Sequence, residues 1–260
     1  MNATKELRDL YNSFTKSPEA AWIMTFPNAV DLYNFITQCP IKKVLGLGTG
    51  IGLSDAIIAL AWKNKGEKEA KLITVEQYDK CIRLAKELIP KELQTYIEFF
   101  KSEPTVWAND KLPYLYFSVY KELPSIEGGF DLIINDGPSP FVDAKGYYVD
   151  IPNGTIHKLT LEDQIKPGSY VIYDGRVSSI NLLERYFDKC YYICTVPKLG
   201  SDFFLLERKS SPVEVLDVKY EAMKNQTIYF KNHEEQKNIV SSDKQSPSGK
   251  TETPVAGTEK

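Results

Sequence analysis

The chain has 260 residues, 42% of them hydrophobic and 12% aromatic, enough apolar surface for one large domain or two small ones. A formal net charge of −3 gives no electrostatic footprint for nucleic acid or an anionic membrane, so neither is expected as a partner. No apolar run approaches the roughly 20 residues a membrane span needs, no signal-type segment opens the chain, and Cys39, Cys81, Cys190 and Cys194 form no C-x-x-C pair. The expectation is a cytoplasmic protein with free thiols and neither a disulfide frame nor a metal site.

Residues 4–38 read as two amphipathic helical segments broken near Ser17-Pro18 and Phe26-Pro27. They form a helical cap over residues 1–40, a surface through which a second copy of the chain could pack. A strand at Lys43–Leu47 leads to a helix at 53–63. The strand 71–75 leads to a helix at 78–89, stopped by Pro90, and 96–100 is a third strand. Residues 130–136 form a fourth, a near-continuous apolar run suited to a central parallel strand. A helix is expected at 160–166 and a turn at Pro167-Gly168. The strand Tyr170–Asp174 follows, then a helix at 178–188 and two strands, 190–196 and 202–207. Alternation of this kind predicts an α/β domain over 41–235: a doubly wound, mostly parallel, seven-stranded sheet ending in an antiparallel hairpin. Residues 236–260 turn to Ser, Lys, Thr, Pro and Gly and are expected to be a disordered tail.

The first strand runs into Val44-Leu-Gly-Leu-Gly-Thr-Gly-Ile-Gly52, and Glu76 follows a little over twenty residues past Gly52. Glycine suits a turn with φ > 0, or backbone that must approach a ligand closely. The helix after the turn carries free N–H groups and a positive dipole end at its N-terminus. An acidic residue at the end of the second strand is placed to take ribose hydroxyls. Glycine spacing then separates the cofactors. A dinucleotide fingerprint needs glycines at offsets zero, two and five. Starting from Gly46, Gly48 or Gly50, the third position is Ile51, Leu53 or Asp55. No Gly-Lys-Ser/Thr follows either, which removes the phosphate-cradling P-loop.

What remains, Gly48-x-Gly50-x-Gly52, resembles the first motif of the class I S-adenosylmethionine-dependent methyltransferases. The resemblance implies that the turn passes under the amino-acid end of that cofactor. The implied cofactor-binding residues are Gly46, Gly48, Thr49, Gly50, Gly52, Glu76, Gln77, Ser102 and Asp136. Most members carry Asp or Glu where Gly46 stands, a carboxylate that helps hold the methionine ammonium. Adenine is expected in the slot after the third strand, at Phe99, Phe100, Lys101, Ser102 and Glu103. Asn135-Asp-Gly-Pro-Ser-Pro140, the aromatic-rich Gly146-Tyr-Tyr-Val-Asp-Ile-Pro152 and Tyr173-Asp-Gly-Arg176 resemble a group of small methyltransferases of glycan and natural-product chemistry.

In open α/β sheets ligands bind beyond the carboxyl ends of the strands, so Asp136 and Asp174 mark the expected catalytic end. Catechol-type relatives hold Mg²⁺ with an Asp after the fourth strand and an Asp-Asn after the fifth. The Asn position is Gly175 here, beside Arg176, so no metal is expected. Arg176 either pairs with Asp136 or Asp174 or grips a substrate carboxylate or phosphate bidentately. His157, read as a loop residue between the fourth and fifth strands, and Asp136 are the two bases on offer; His233 lies near the tail. Tyr114, Tyr116, Phe117 and Tyr120 form an aromatic cluster, either core packing or the lining of a substrate cleft.

The implied activity is methyl transfer to an oxygen of a small polar acceptor such as a sugar or glycan precursor. Three other readings stay open. They are an aminopropyltransferase of the spermidine synthase type, a catalytically silent cofactor-binding or scaffold protein suggested by Gly46, and a nicotinamide oxidoreductase. The last is disfavoured by the glycine offsets and the terminal hairpin.

Overall fold

A computed structural model describes residues 3–20, 23–138, 141–142, 148–149, 151–174, 177–194 and 203–216. The chain divides into Met1–Asp217 and Val218–Lys260, and every described residue lies in the first unit. His233 and the tail 236–260 therefore lie outside the described residues, as do Gly175 and Arg176.

Helices α1 (Ala3–Phe14) and α2 (Phe26–Gln38) precede strand β1 (Lys43–Leu47), helix α3 (Leu53–Lys65), strand β2 (Lys71–Glu76), helix α4 (Asp79–Leu88), the short α5 (Lys91–Gln94) and strand β3 (Ile97–Lys101). Strands β4 (Pro104–Asn109) and β5 (Leu112–Tyr120) come next, then β6 (Leu132–Asn135) and the two-residue strands β7 (Phe141–Val142) and β8 (Tyr148–Val149). Helix α6 (Thr155–Leu161), β9 (Tyr170–Asp174), α7 (Val177–Phe187), β10 (Tyr191–Ile193) and β11 (Phe203–Arg208) complete the described part.

Seven strands form one sheet in the order β10-β11-β9-β6-β1-β2-β3. The β9-β6-β1-β2-β3 run is parallel, whereas β11 pairs antiparallel with both β9 and β10. The predicted doubly wound sheet with its terminal hairpin is therefore the observed one. Its centre follows from the sequence: Val44, Leu45 and Leu47 of β1 and Leu132, Ile133 and Ile134 of β6 are all buried, so both faces of these strands are covered.

On one face, Val44, Leu72, Leu132, Ile134, Ile172 and Leu205 share a core with Leu7, Leu10 and Phe14 of α1, Leu32 and Ile36 of α2, and most of α3. Helix α3 is apolar almost all round, with every residue from Ala56 to Trp62 buried, because α1 and α2 cover the side turned away from the sheet. Elsewhere, His157 of α6 packs against both Phe117 of β5 and Phe187 of α7.

One pair of strands is added to the expected set, and one helix is shifted. Residues 104–120 hold an antiparallel β4–β5 ribbon that forms its own two-stranded sheet between β3 and β6. The helix expected at 160–166 is α6, five residues earlier at its start. The Asn153 side chain accepts from Thr155 N at 3.0 Å and starts the helix there. Among the described residues no helix is long and apolar enough to cross a membrane, and Cys39, Cys81, Cys190 and Cys194 are free thiols.

Candidate functional site

Beyond the carboxyl ends of β1, β6 and β9 lies a cleft of about 790 Å³, counting the part open to solvent. Its wall comprises Gly48, Thr49, Gly50, Ile51, Gly52, Leu53 and Ser54 of the turn and the start of α3, together with Asp136 and Asp174. Helix α4 adds Lys80, Cys81 and Leu84, and the segment before α2 adds Glu19, Ile23 and Met24. Helix α3 starts at Gly52 with no side-chain cap, so its first-turn N–H groups are available where Gly52, Leu53 and Ser54 border the cleft.

The turn is fixed by backbone bonds: Gly48 N donates to Val75 O at 2.9 Å and Gly52 N to Thr49 O at 2.8 Å, while Asp136 N donates to Leu47 O at 2.8 Å. Its glycines serve different ends. Gly48 has φ +96°, and a Cβ there would come within 2.8 Å of Asp136 C and Gly137 N, so the adjoining strand end forbids a side chain. Gly50 has φ +52°, and nothing lies within 4 Å of where its Cβ would be. That open space belongs to the cleft. Close approach of a ligand explains a bare residue here better than internal packing does.

Glu76 lies beneath the turn, only 4% exposed. Its Oε2 accepts from Gly50 N at 2.9 Å, and its Oε1 from Gln77 N at 2.7 Å and Tyr78 N at 2.9 Å. Burial holds the carboxyl above its ordinary value against these three donors. A carboxylate has about four acceptor positions, so one remains for a ligand. The residue expected to take ribose hydroxyls is thus first of all the brace of the glycine turn. Gln77 is buried beside it. Ser102, also buried, accepts from Glu122 N at 3.0 Å through Oγ and donates its own N–H to Glu76 O at 3.1 Å. Gly46 sits in mid-strand, facing Thr74 and Asp55.

His157 is not a loop residue. It lies in α6, wholly buried, stacked on Phe117 at 4.6 Å and edge-on to Phe187 at 5.9 Å. Neither ring nitrogen has a hydrogen-bond partner among the described residues, and burial pushes its pKa down to about 3. The ring thus packs in the core within α6, and not in the loop between the fourth and fifth strands where it was expected. Phe117 and Tyr120 of the aromatic cluster are likewise buried, whereas Tyr116 is exposed. The Tyr114 side chain lies outside the described residues.

The structure thus gathers Gly48, Thr49, Gly50, Gly52, Asp136 and Asp174 at one cleft, and sets Gly46, Glu76, Gln77 and Ser102 behind its wall. Sequence reasoning missed the contribution of Glu19, Ile23 and Met24, and of Lys80, which pairs with Glu19 at 2.5 Å. Nothing local in the sequence marks that pairing, which spans 61 positions. Among the described residues no group of three or more His, Cys, Asp or Glu side chains is arranged to hold a metal ion.

The SAH-bound methyltransferase PaMTH1 of Podospora anserina superimposes with a TM-score of 0.50 over 80% of this chain and 88% of its own, at 15% identity. The fold is that of the class I methyltransferases. Two further structures with this methyltransferase fold are similar. The O-methyltransferase TomG of Streptomyces achromogenes, involved in tomaymycin synthesis and solved with SAM, is 17% identical over 81% of this chain and 91% of its own, with a TM-score of 0.48. An O-methyltransferase of Bacillus cereus in complex with SAH is 14% identical over 80% and 91%, with a TM-score of 0.47. No protein-family model matches the sequence, and no curated protein does.

Proposed function

We propose that the chain is an S-adenosylmethionine-dependent O-methyltransferase acting on a small polar acceptor, with sugars and glycan precursors the first class to test. The observation that carries this reading is the convergence on one cleft of an uncapped helix N-terminus, a glycine turn left open at Gly50, and Asp136 and Asp174. The turn fits the amino-acid end of such a cofactor: Gly50 leaves room for it, and the first-turn N–H groups of α3 suit its carboxylate. Glu76 would keep the turn in shape and offer its remaining acceptor position to the ribose.

When bound, the cofactor supplies an electrophilic methyl group on a sulfonium. Asp136 is the residue assigned to orient the acceptor hydroxyl or take its proton, since His157 is in the core. Asp174 would fix the acceptor from the neighbouring strand end, and Arg176, outside the described residues, is assigned an anionic group of the acceptor. In-line positioning of this sort can supply much of the rate. Gly175 removes the third ligand of a Mg²⁺ site, so the reading is metal-free.

Incubation with methyl-labelled S-adenosylmethionine and a panel of sugars, phenols and other hydroxylated acceptors tests the proposal. Label on an acceptor oxygen is expected. Binding of the cofactor with no transfer to any acceptor would favour the silent cofactor-binding protein. A second reading, aminopropyl transfer, draws on Asp136 and Asp174 sharing the cleft wall, because paired carboxylates suit a cationic amine. Decarboxylated S-adenosylmethionine with a polyamine, assayed in parallel, separates the two.

A further inference from the structure

Strand β1 lacks a side chain at Gly46, and the space beside it is already taken. A Cβ at Gly46 would lie 3.1 Å from Thr74 Oγ1 and 3.3 Å from Asp55 Oδ1. Asp55 reaches this spot from the first turn of α3 and is 2% exposed. One of its oxygens bonds the Thr74 hydroxyl, while Oδ2 has no partner among the described residues. Thr74 Oγ1 is in turn 2.7 Å from Thr49 Oγ1, and either can donate. Thr49 belongs to the cleft wall.

We propose that Asp55, Thr74 and Thr49 form a hydroxyl relay that reports the protonation state of Asp55 to the cofactor cleft, making Asp55 a positioning residue for the cofactor's amino-acid end. The inference rests on the reading of the cleft as a sulfonium-nucleoside site. Each hydroxyl has one hydrogen and two lone pairs, so the direction of the chain is set at its end. With Asp55 ionised, Thr74 donates to Asp55 and Thr49 donates to Thr74, and the cleft meets only Thr49 lone pairs. With Asp55 neutral and its proton on the oxygen that faces Thr74, the O–H donates to Thr74, Thr74 donates to Thr49, and the Thr49 hydrogen is released to the cleft. A ligand carboxylate beside the N-terminus of α3 requires the second arrangement. One proton on a buried acid thus decides whether the turn offers a donor.

The surroundings of Asp55 suit this part. Burial, reinforced by the charge of Glu76, lifts its carboxyl to about 7 against the Thr74 hydrogen bond. Glu76 on β2 is the charged group that faces it; Gly46 on β1 brings no side chain. The faces of α1 and α2 buried against α3 are apolar apart from Asn28 and Tyr33, and the buried residue of α5 is Leu93.

The test is calorimetric titration with S-adenosylhomocysteine between pH 6 and 8, in buffers of different ionisation enthalpy. In the wild type, affinity should weaken above neutrality, by up to about tenfold per pH unit, and binding should take up close to one proton. Asp55→Asn has no proton to lose in this range, so its affinity should be independent of pH. Thr74→Val cuts the relay and should bind weakly and independently of pH. Glu76 is present in all three proteins, and Thr74→Val, which keeps both carboxyls, shows any pH dependence that comes from Glu76 and not from the relay. Thermal unfolding verifies that both near-isosteric variants fold, and proton uptake by the wild type needs no variant at all. Wild-type binding without pH dependence, or the same dependence in Asp55→Asn, overturns the relay and leaves the cofactor reading standing. No binding at any pH overturns both.

Discussion

Gly48 and Asp136 lie back to back: a Cβ on Gly48 would meet the Asp136 carbonyl carbon at 2.8 Å, so the glycine turn and the carboxyl end of β6 are one packed unit. Gly48→Ala should therefore unfold or loosen the carboxyl end of the sheet, at a loss of at least about 3 kcal/mol from the clash and the positive φ together. Gly50→Ala meets no atom and should lose only about 1–2 kcal/mol. Its effect should fall on cofactor affinity, and Gly50→Val should abolish binding in a folded protein. Thermal unfolding and S-adenosylhomocysteine titration of the three variants separate the two roles.

Glu76 should behave as a brace as much as a ligand contact. In Glu76→Gln an amide N–H₂ faces backbone donors and leaves at least one N–H unsatisfied, a loss of about 1–3 kcal/mol of stability. Cofactor affinity should fall with it, and Glu76→Ala should weaken binding on the order of tenfold to a hundredfold. A melting temperature unchanged in Glu76→Gln would return the residue to a purely ribose-binding role.

His157 and Asp55 set opposite pH limbs of stability. His157 titrates at about 3 in the folded chain instead of 6.5. Its contribution is full above pH 6.5 and is lost as pH falls toward 3, by about 1.4 kcal/mol per unit. Asp55 is raised from 3.8 to about 7, so its contribution is full below pH 3.8 and is lost as pH rises toward 7. Denaturant unfolding against pH should show His157→Leu losing less stability than wild type on the acid side. Asp55→Asn should gain on wild type progressively from pH 4 to 7.

The seven strands of the sheet, its terminal hairpin and the glycine turn were legible because each strand carries an apolar run and each turn its own punctuation. The β4–β5 ribbon was less so. Its signal, alternation in Thr105-Val-Trp-Ala on one side and Tyr114-Leu-Tyr-Phe-Ser-Val on the other around Asp110-Lys111, was there, but aromatics of that density also read as core. His157 was misplaced because Pro152-Asn-Gly154 looks like a loop, while α6 begins directly after it at Thr155, whose N–H donates to the Asn153 side chain. Beyond the reach of any local pattern were the job of Gly48, which depends on a strand end nearly ninety residues away, and the filling of the Gly46 gap by Asp55 from the next helix.

If Asp136 acts as proposed, Asp136→Asn should lower kcat by about 10²–10⁴, the range for losing an acid–base group, with cofactor affinity scarcely altered. Chelators should leave wild-type turnover intact. Loss of turnover on chelation, restored by Mg²⁺, would recast Asp136 and Asp174 as metal ligands.

The central claim, that this cleft is a sulfonium-nucleoside site, is tested most directly by titrating the purified chain with S-adenosylmethionine, decarboxylated S-adenosylmethionine and NAD in parallel. Saturable binding of S-adenosylmethionine at one site per chain is expected, with weaker binding of the decarboxylated form, which lacks the carboxylate proposed to lie at α3 and Thr49, and none of NAD. Binding of NAD with no affinity for either sulfonium would contradict the claim.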